Sequence, residues 1–264
     1  MSERIRVGVF GAGGRMGATV CDAVLGDPEL ELVAAVDPHH AGLDLRSVAH
    51  LDGVDLVLGS GPDELVRTGA QVAIDFTRIE AARENVGFCA DNGIHAVVGT
   101  SGFSDEDCEG FRGRFTRSNC VIVPNFAIGA VLMMRFAEIA APFFETAEII
   151  ELHHDQKIDA PSGTAMSTVS RMAAASDQWG ADPTQNEVVP GARGARSGGI
   201  NVHSVRLRGM VAHQEVLLGT TGQSLSIRHD SYDRSSFMPG VLLATKRIAD
   251  HPGLTVGLDA ILGI

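Results

Sequence analysis

The stretch "IRVGVFGAGGRMGATVCDAVLGDPELELVAAVD", residues 5 to 37, decides the fold. It opens on IRVGVF, a short apolar run of the kind that makes a strand buried on both faces. Glycines follow at 11, 13, 14 and 17, and "RMGATVCDAVLG" then carries helical spacing until Asp27-Pro28 stops it. "LELVAAVD" reads as a second buried strand that ends in an acid. Strand, glycine turn, helix and strand in this order begin a parallel sheet whose connections are helical crossovers.

The alternation continues down the chain. Strands are expected near 54–58 (VDLVL), 71–76 (QVAIDF), 95–99 (HAVVG) and 120–124 (CVIVP), with helices at about 79–92 and 104–117. These predict a doubly wound α/β sheet. The texture changes after about residue 126. A helix over 127–141 leads to the strand "AEIIELHH", a second helix starts at about Ser162, and a Gly/Pro/Asp/Asn-rich loop fills roughly 177–200. "NVHSVRL", "VAHQEVLLGT" and "SLSIRHD" then alternate polar and apolar residues, as antiparallel strands with one solvated face do. A helix at about 236–250 and a short strand at 254–258 close the chain.

Gly11, Gly14 and Gly17 form a GxxGxxG pattern between strand and helix, and Met16 takes the third glycine position of the strict GxGxxG form. The physics is shared by both forms. Glycine lets the backbone approach a pyrophosphate, and the helix N-terminus offers free N–H groups with a partial positive charge. Asp37 ends the second strand, where a carboxylate can bind the ribose hydroxyls of an adenosine. Arg15 could neutralise a 2′-phosphate that Asp37 would repel, so the residues leave both NADH and NADPH open. Two later strand ends, "VVGTSGF" and "VPNF", fall at the carboxyl edge where an open parallel sheet binds ligands. Gly99, Thr100 and Ser101 suit the nicotinamide half, and Asn125 could bridge to it.

A second group of chemistry-bearing residues lies in "ELHHDQKIDAPSGTA", residues 151–165. Strand alternation sends Glu151 and His153 to one face and His154 to the other. The pair could bind a metal, be two satisfied histidines at a strand end, or serve acid/base chemistry. Adjacent histidines lack the helical i, i+4 ligand spacing and no cysteine is near, which argues against the metal. Ser162, Gly163 and Thr164 open a helix, with Ser or Thr as the cap and N–H groups left for a carboxylate. Of 21 basic residues only Lys157 and Lys246 are lysines. Lys157 adds a point charge that can give up a proton, as arginine cannot. Together these residues describe a pocket for a small carboxylate-bearing substrate beside an acid group.

Composition narrows the classes. A chain of 264 residues with 44% hydrophobic content can fill a core, and a net charge of −12 opposes nucleic acid as a partner. The N-terminal apolar run leads into glycines rather than a cleavage site, and no apolar stretch approaches the ~20 residues of a membrane span. Cys21, Cys89, Cys108 and Cys120 are scattered without a CxxC pair, which suggests free thiols in a reducing cytoplasm.

"VGVFGAGGRMG" (7–17), "DFT" (75–77), "VVGTSGF" (97–103), "VPNFAIG" (123–129) and above all "ELHHDQKIDAPSGTA" resemble the 4-hydroxy-tetrahydrodipicolinate reductase (dihydrodipicolinate reductase) family of lysine synthesis through diaminopimelate. The resemblance runs essentially end to end. It implies a Rossmann-like nucleotide domain made of residues 1–126 and 237–264, around a central α+β domain, 127–236, that binds substrate and builds a homotetramer. Nucleotide contacts would fall on Gly11, Ala12, Gly13, Gly14, Arg15, Met16, Asp37, Gly99, Thr100, Ser101, Val123, Pro124, Asn125 and Phe126. His153 and Lys157 would be catalytic, with His154, Ser162, Gly163 and Thr164 on a dicarboxylate substrate. The implied reaction takes hydride from NAD(P)H to C4 and a proton, from Lys157, to C3. Some members carry Glu-Arg where this chain has Asp37-Pro38, so one 2′-phosphate partner is missing here.

Two rivals follow from the same residues. One is another two-domain nicotinamide dehydrogenase of amino-acid metabolism, against which the SGT turn after HHxxK argues. The other is a dinucleotide sensor without chemistry, whose signature would be loss of Lys157 or His153.

Overall fold

A computed structural model of the chain describes residues 3 to 264. Contacts divide it into two compact units: one runs to Phe126 and resumes over Phe237–Ile264, and the other is Ala127–Ser236. The first unit opens with β1 (Ile5–Phe10), α1 (Arg15–Gly26), β2 (Leu30–Val36), α2 (Leu45–Ala49), α3 (Asp63–Thr68), β3 (Val72–Asp75), α4 (Ile79–Asn92), β4 (His95–Val98), α5 (Asp105–Arg114) and β5 (Cys120–Ile122). The apolar runs became strands because helices cover them. Phe10, Val36 and Val98 share one core with Val86 of α4 and Phe111 of α5. Ser104 and Asp107 form a capping box that starts α5.

The expected strand at 54–58 is a correction. Those residues make only isolated bridges, Val36 with Gly59 and Asp44 with Val57, at the outer side of β2. Leu58 is buried there while Val57 is exposed, so one apolar face is anchored and no neighbouring strand completes a ladder. Helices α2 and α3 flank this segment. At five and six residues they are too short to show helical periodicity in sequence.

The second unit comprises α6 (Ile128–Ala140), β6 (Thr146–His153), α7 (Gly163–Ala175), β7 (Ala195–Ser197), β8 (Ile200–Arg206), β9 (Ala212–Thr220) and β10 (Gln223–Ser231). Its sheet has the order β10-β9-β6-β8-β7, with α6 packed on α7 and on β10. Pairing is antiparallel at β9 and β10, as the alternation predicts. Strand β8 differs: it runs parallel to β6, in register from Glu148↔Asn201 to His153↔Arg206. The reason is topological, since α7 carries the chain back across the sheet before β8 begins. As a result β6 and β8 end at the same edge, and His153 lies beside Arg206.

Helix α8 (Met238–Arg247), β11 (Leu254–Val256) and α9 (Asp259–Leu262) complete the first unit. Its six-stranded sheet has the order β11-β5-β4-β3-β1-β2 and is parallel throughout. The returning segment is fixed by Asn119, whose amide donates to the carbonyls of Ile248 and Ala249 at 2.8 and 3.1 Å and accepts from the Gly253 N–H at 3.2 Å. Lys246 adds ion pairs to Asp27 at 2.8 Å and Glu29 at 2.7 Å.

Candidate active site

In the first unit the residues singled out in sequence gather at the carboxyl ends of β1, β2, β4 and β5. Gly11 takes φ +69°, a left-handed turn that suits glycine. A Cβ on Gly17 would lie 2.0 Å from the Gly11 carbonyl oxygen, so α1 can start this close to β1 only with glycine there. Gly14 is the N-cap of α1 and no side chain caps the helix, which leaves its first-turn N–H groups for an anion. The loop and helix start therefore fit a pyrophosphate, with Ala12 buried beneath it and Arg15 exposed beside it. Met16 is half-buried in the first turn.

Asp37 does more than end a strand. It is buried, and its Oδ2 accepts the Gly13 N–H at 3.0 Å while Oδ1 accepts the His39 N–H at 3.0 Å and meets His40 Nδ1 at 3.1 Å. The carboxylate thus holds the glycine loop in place from below. His39 and His40 carried no signal in sequence for this contact.

Thr100 is also committed internally: its hydroxyl donates to the Thr77 carbonyl at 3.0 Å and to Asp75 at 3.2 Å. Asp75, 2% exposed, gathers in addition the Thr77 N–H and hydroxyl, both at 2.7 Å, and Asn85 at 2.8 Å. "DFT" is therefore a strand-end brace. A Cβ on Gly99 would meet the Phe76 ring at 2.1 Å, and Phe76 packs on Phe126 with centroids 5.6 Å apart. Val123 and Phe126 are buried supports, while Ser101 and Pro124 are exposed and Asn125 is half-buried.

In the second unit the site is built on Glu151. Its side chain has no solvent exposure, and its partners converge from three elements. Arg206 of β8 bridges both oxygens at 2.9 Å each, His153 Nδ1 lies 2.5 Å from Oε2, and the Ser162 N–H donates to Oε1 at 3.2 Å. Burial would raise the Glu151 carboxyl, but the bonds from Arg206, Ser204 and His153 overcome it and hold the group below the usual carboxylate range. Burial pushes the His153 imidazole below its ordinary value; Glu151 opposes this, while the Lys157 and Arg206 charges add to it.

Lys157 follows in the turn after β6, its N–H bonded to the His154 carbonyl at 3.2 Å. Its ammonium is held by Asp159 at 2.7 and 2.9 Å, which pulls the Asp159 carboxyl down. His154 is exposed in the turn, just past the strand end. Ser162 caps α7 by accepting the Ala165 N–H at 3.2 Å, so its hydroxyl serves the helix and Gly163 stands exposed at the first helical position. Asp155, without an argued role in sequence, pairs with Arg208 at 2.9 Å. Arg206 was missed because a lone arginine at a strand end has no local signature; only the parallel pairing of β6 and β8 brings it to Glu151. Among the described residues no group of three or more His, Cys, Asp or Glu is placed to hold a metal.

The family model for the N-terminus of dihydrodipicolinate reductase matches residues 5–126, and that for its C-terminus matches 129–262. The chain belongs to the dihydrodipicolinate reductase family. It is 48% identical to 4-hydroxy-tetrahydrodipicolinate reductase of Corynebacterium aurimucosum, over 98% of this chain and 99% of that one. It is 49% identical to the reductase of Nocardia farcinica, over 98% and 99% of the two chains. The dipicolinate-bound dihydrodipicolinate reductase from Paenisporosarcina sp. TG-14 superposes with a TM-score of 0.87 at 39% identity, covering 98% of this chain and 99% of that one. An amine dehydrogenase from Mycobacterium smegmatis, TM-score 0.67 at 13% identity over 97% and 95% of the chains, shares the fold alone. As a member of this reductase family with a Rossmann-like parallel sheet, the chain is an oxidoreductase of diaminopimelate and lysine biosynthesis whose fold implies a nicotinamide cofactor.

Proposed function

We propose that the chain reduces 4-hydroxy-tetrahydrodipicolinate to tetrahydrodipicolinate, using NADH or NADPH. The observation that carries this reading is the end of β6, where His153 and the start of α7 bond one buried carboxylate, Glu151, and Lys157 follows in the next turn, held by Asp159. A bound nicotinamide would supply the hydride, received at C4 of the substrate ring. The chain's own residues would do the rest. Gly11 to Met16 hold the pyrophosphate, Asp37 meets the adenosine ribose, and Gly99 to Ser101 with Val123 to Phe126 frame the nicotinamide half.

On the second unit the start of α7, exposed at Gly163 and half-buried at Thr164, receives a substrate carboxylate together with His154. Lys157 carries the proton delivered to C3, and His153 is its acid/base partner. Asp159 keeps the lysine ammonium near this turn. Dipicolinate, a planar ring with two carboxylates, is what the Paenisporosarcina relative binds, and the same chemistry suits this turn.

The second unit also carries an open apolar groove of about 610 Å³ lined by Phe136, Ile139, Phe143 and Leu225. Phe143 is 75% exposed and β10 is an edge strand, features that favour packing of further copies into a homotetramer. Four unpaired cysteines, three of them buried, suit a reducing cytoplasm. No helix among the described residues is long and apolar enough to cross a membrane. The test is oxidation of NADH and of NADPH on fresh product of dihydrodipicolinate synthase. Turnover with either supports the reading, and oxidation of neither overturns it.

A further inference from the structure

We propose that Glu151 and Arg206 are positioning residues that fix the tautomer of His153 and tune when it takes up a proton, and that the same carboxylate ties this imidazole to the substrate-binding turn. The inference rests on the acid/base role given above to His153. Its physical basis is the number of donors that one buried carboxylate receives. Arg206 occupies both Glu151 oxygens, Ser162 N–H reaches Oε1, and His153 Nδ1 reaches Oε2. An oxygen so placed, on an ionised carboxylate, can only accept. Nδ1 must therefore carry the hydrogen, and Nε2 is left with its lone pair. No protein group among the described residues bonds Nε2, so the proton-exchanging nitrogen is the one that remains available.

A buried ion pair adds little net stability once desolvation is counted, so packing alone does not account for Glu151 and Arg206. Their placement does. The Ser162 N–H that Glu151 holds belongs to the N-cap of α7, so the imidazole and the start of α7 share an anchor. Arg206 in turn donates to the Asp159 carbonyl at 2.6 Å, and the Asp159 carboxylate holds Lys157. The two proposed proton-handling groups thus connect through one network. The charged groups around the imidazole are Glu151 from β6, Arg206 from β8 and Lys157 from the turn, with Asp159 behind Lys157; β9 presents only Ala212 opposite His153. Glu151 stabilises the imidazolium, whereas Arg206 and Lys157 oppose it. Removing the acid and removing the guanidinium must therefore act in opposite directions.

Two measurements test this. In the full-length protein, long-range ¹H–¹⁵N correlation of the histidine rings, with the His153 signals assigned by their loss in His153→Asn, should show a neutral imidazole protonated on Nδ1 and bare on Nε2. A neutral Nε2–H tautomer overturns the proposal. This readout needs no turnover, so it stands apart from the reductase assignment, which the oxidation assay tests. The second measurement is the pH profile of kcat/KM. Glu151→Gln should lower kcat at least tenfold and move the histidine inflection to lower pH, and Arg206→Gln should move it to higher pH. Inflections that stay in place, or that move together, overturn the proposal; if Arg206→Gln does not fold, the ring spectrum and Glu151→Gln decide.

Discussion

Replacing Asp37 by alanine should separate its brace on the glycine loop from the ribose contact proposed for it. Within the protein, the change removes the acceptor for the Gly13 N–H at 3.0 Å, for the His39 N–H at 3.0 Å and for the His40 ring at 3.1 Å. Hydrogen bonds to a charged acceptor contribute about 1.5–3 kcal/mol and ordinary ones about 0.5–1.5. All three bonds are partly buried; the Gly13 bond falls in the upper class, and the bonds to His39, an exposed residue, and to His40, whose side chain is 40% exposed, fall in the lower because water can replace them. The sum is a loss of about 2.5–6 kcal/mol, or a fall in Tm of roughly 5–24 °C at about 2–4 °C per kcal/mol for a chain of this size.

Toward the nucleotide, if the proposed contact holds, the same change removes an acceptor for the NADH ribose 2′-hydroxyl and a negative charge that would repel the NADPH 2′-phosphate. Both effects shift the ratio of the two dissociation constants toward NADPH, by at least tenfold, about 1.4 kcal/mol. Disturbance of the glycine loop weakens both nucleotides alike and cancels in the ratio. Calorimetric Tm together with titration of each nucleotide by fluorescence reads the brace and the contact independently. An unchanged Tm refutes the loop brace, and equal weakening of NADH and NADPH removes Asp37 from the ribose.

Three further outcomes are expected. Lys157→Ala should lower kcat by about a hundredfold or more while nucleotide affinity survives; near-normal turnover would remove the lysine from proton delivery. Gly17→Ala places a methyl 2.0 Å from the Gly11 carbonyl oxygen, so α1 must shift and NAD(P)H binding should be lost, and retained affinity measured by titration would contradict the close approach. Asp107 is held down to about 2, chiefly by the hydrogen bond from Arg83. Its contribution to stability is present above the unfolded value, ~3.9 for a free aspartate, and is lost as pH falls through the folded value. Arg83→Gln should therefore flatten the loss of stability between about pH 4 and pH 2 in denaturant melts; an unchanged acid limb would show the pair contributes nothing.

The sequence by itself determined the layers and the local chemistry. IRVGVF, VAID and HAVV are apolar runs that only a sheet covered on both faces can bury, and they became β1, β3 and β4. Gly11, Gly14 and Gly17 declared the glycine turn, and Ser162 declared the start of α7, because turns and caps act over a few neighbouring residues. Strand period also placed Glu151 and His153 on one face, where they bond. Segment 54–58 misled because its apolar content reports burial of Leu58 but not whether a partner strand is available.

Tertiary structure alone decided what joins residues far apart in the chain. Parallel pairing of β6 and β8 put Arg206 on Glu151 across 55 positions, and the Asp37 carboxylate found the Gly13 N–H across 24. No local pattern encodes such pairs. They exist because burying a carboxylate requires donors, and folding brings those donors from wherever the sheet register delivers them.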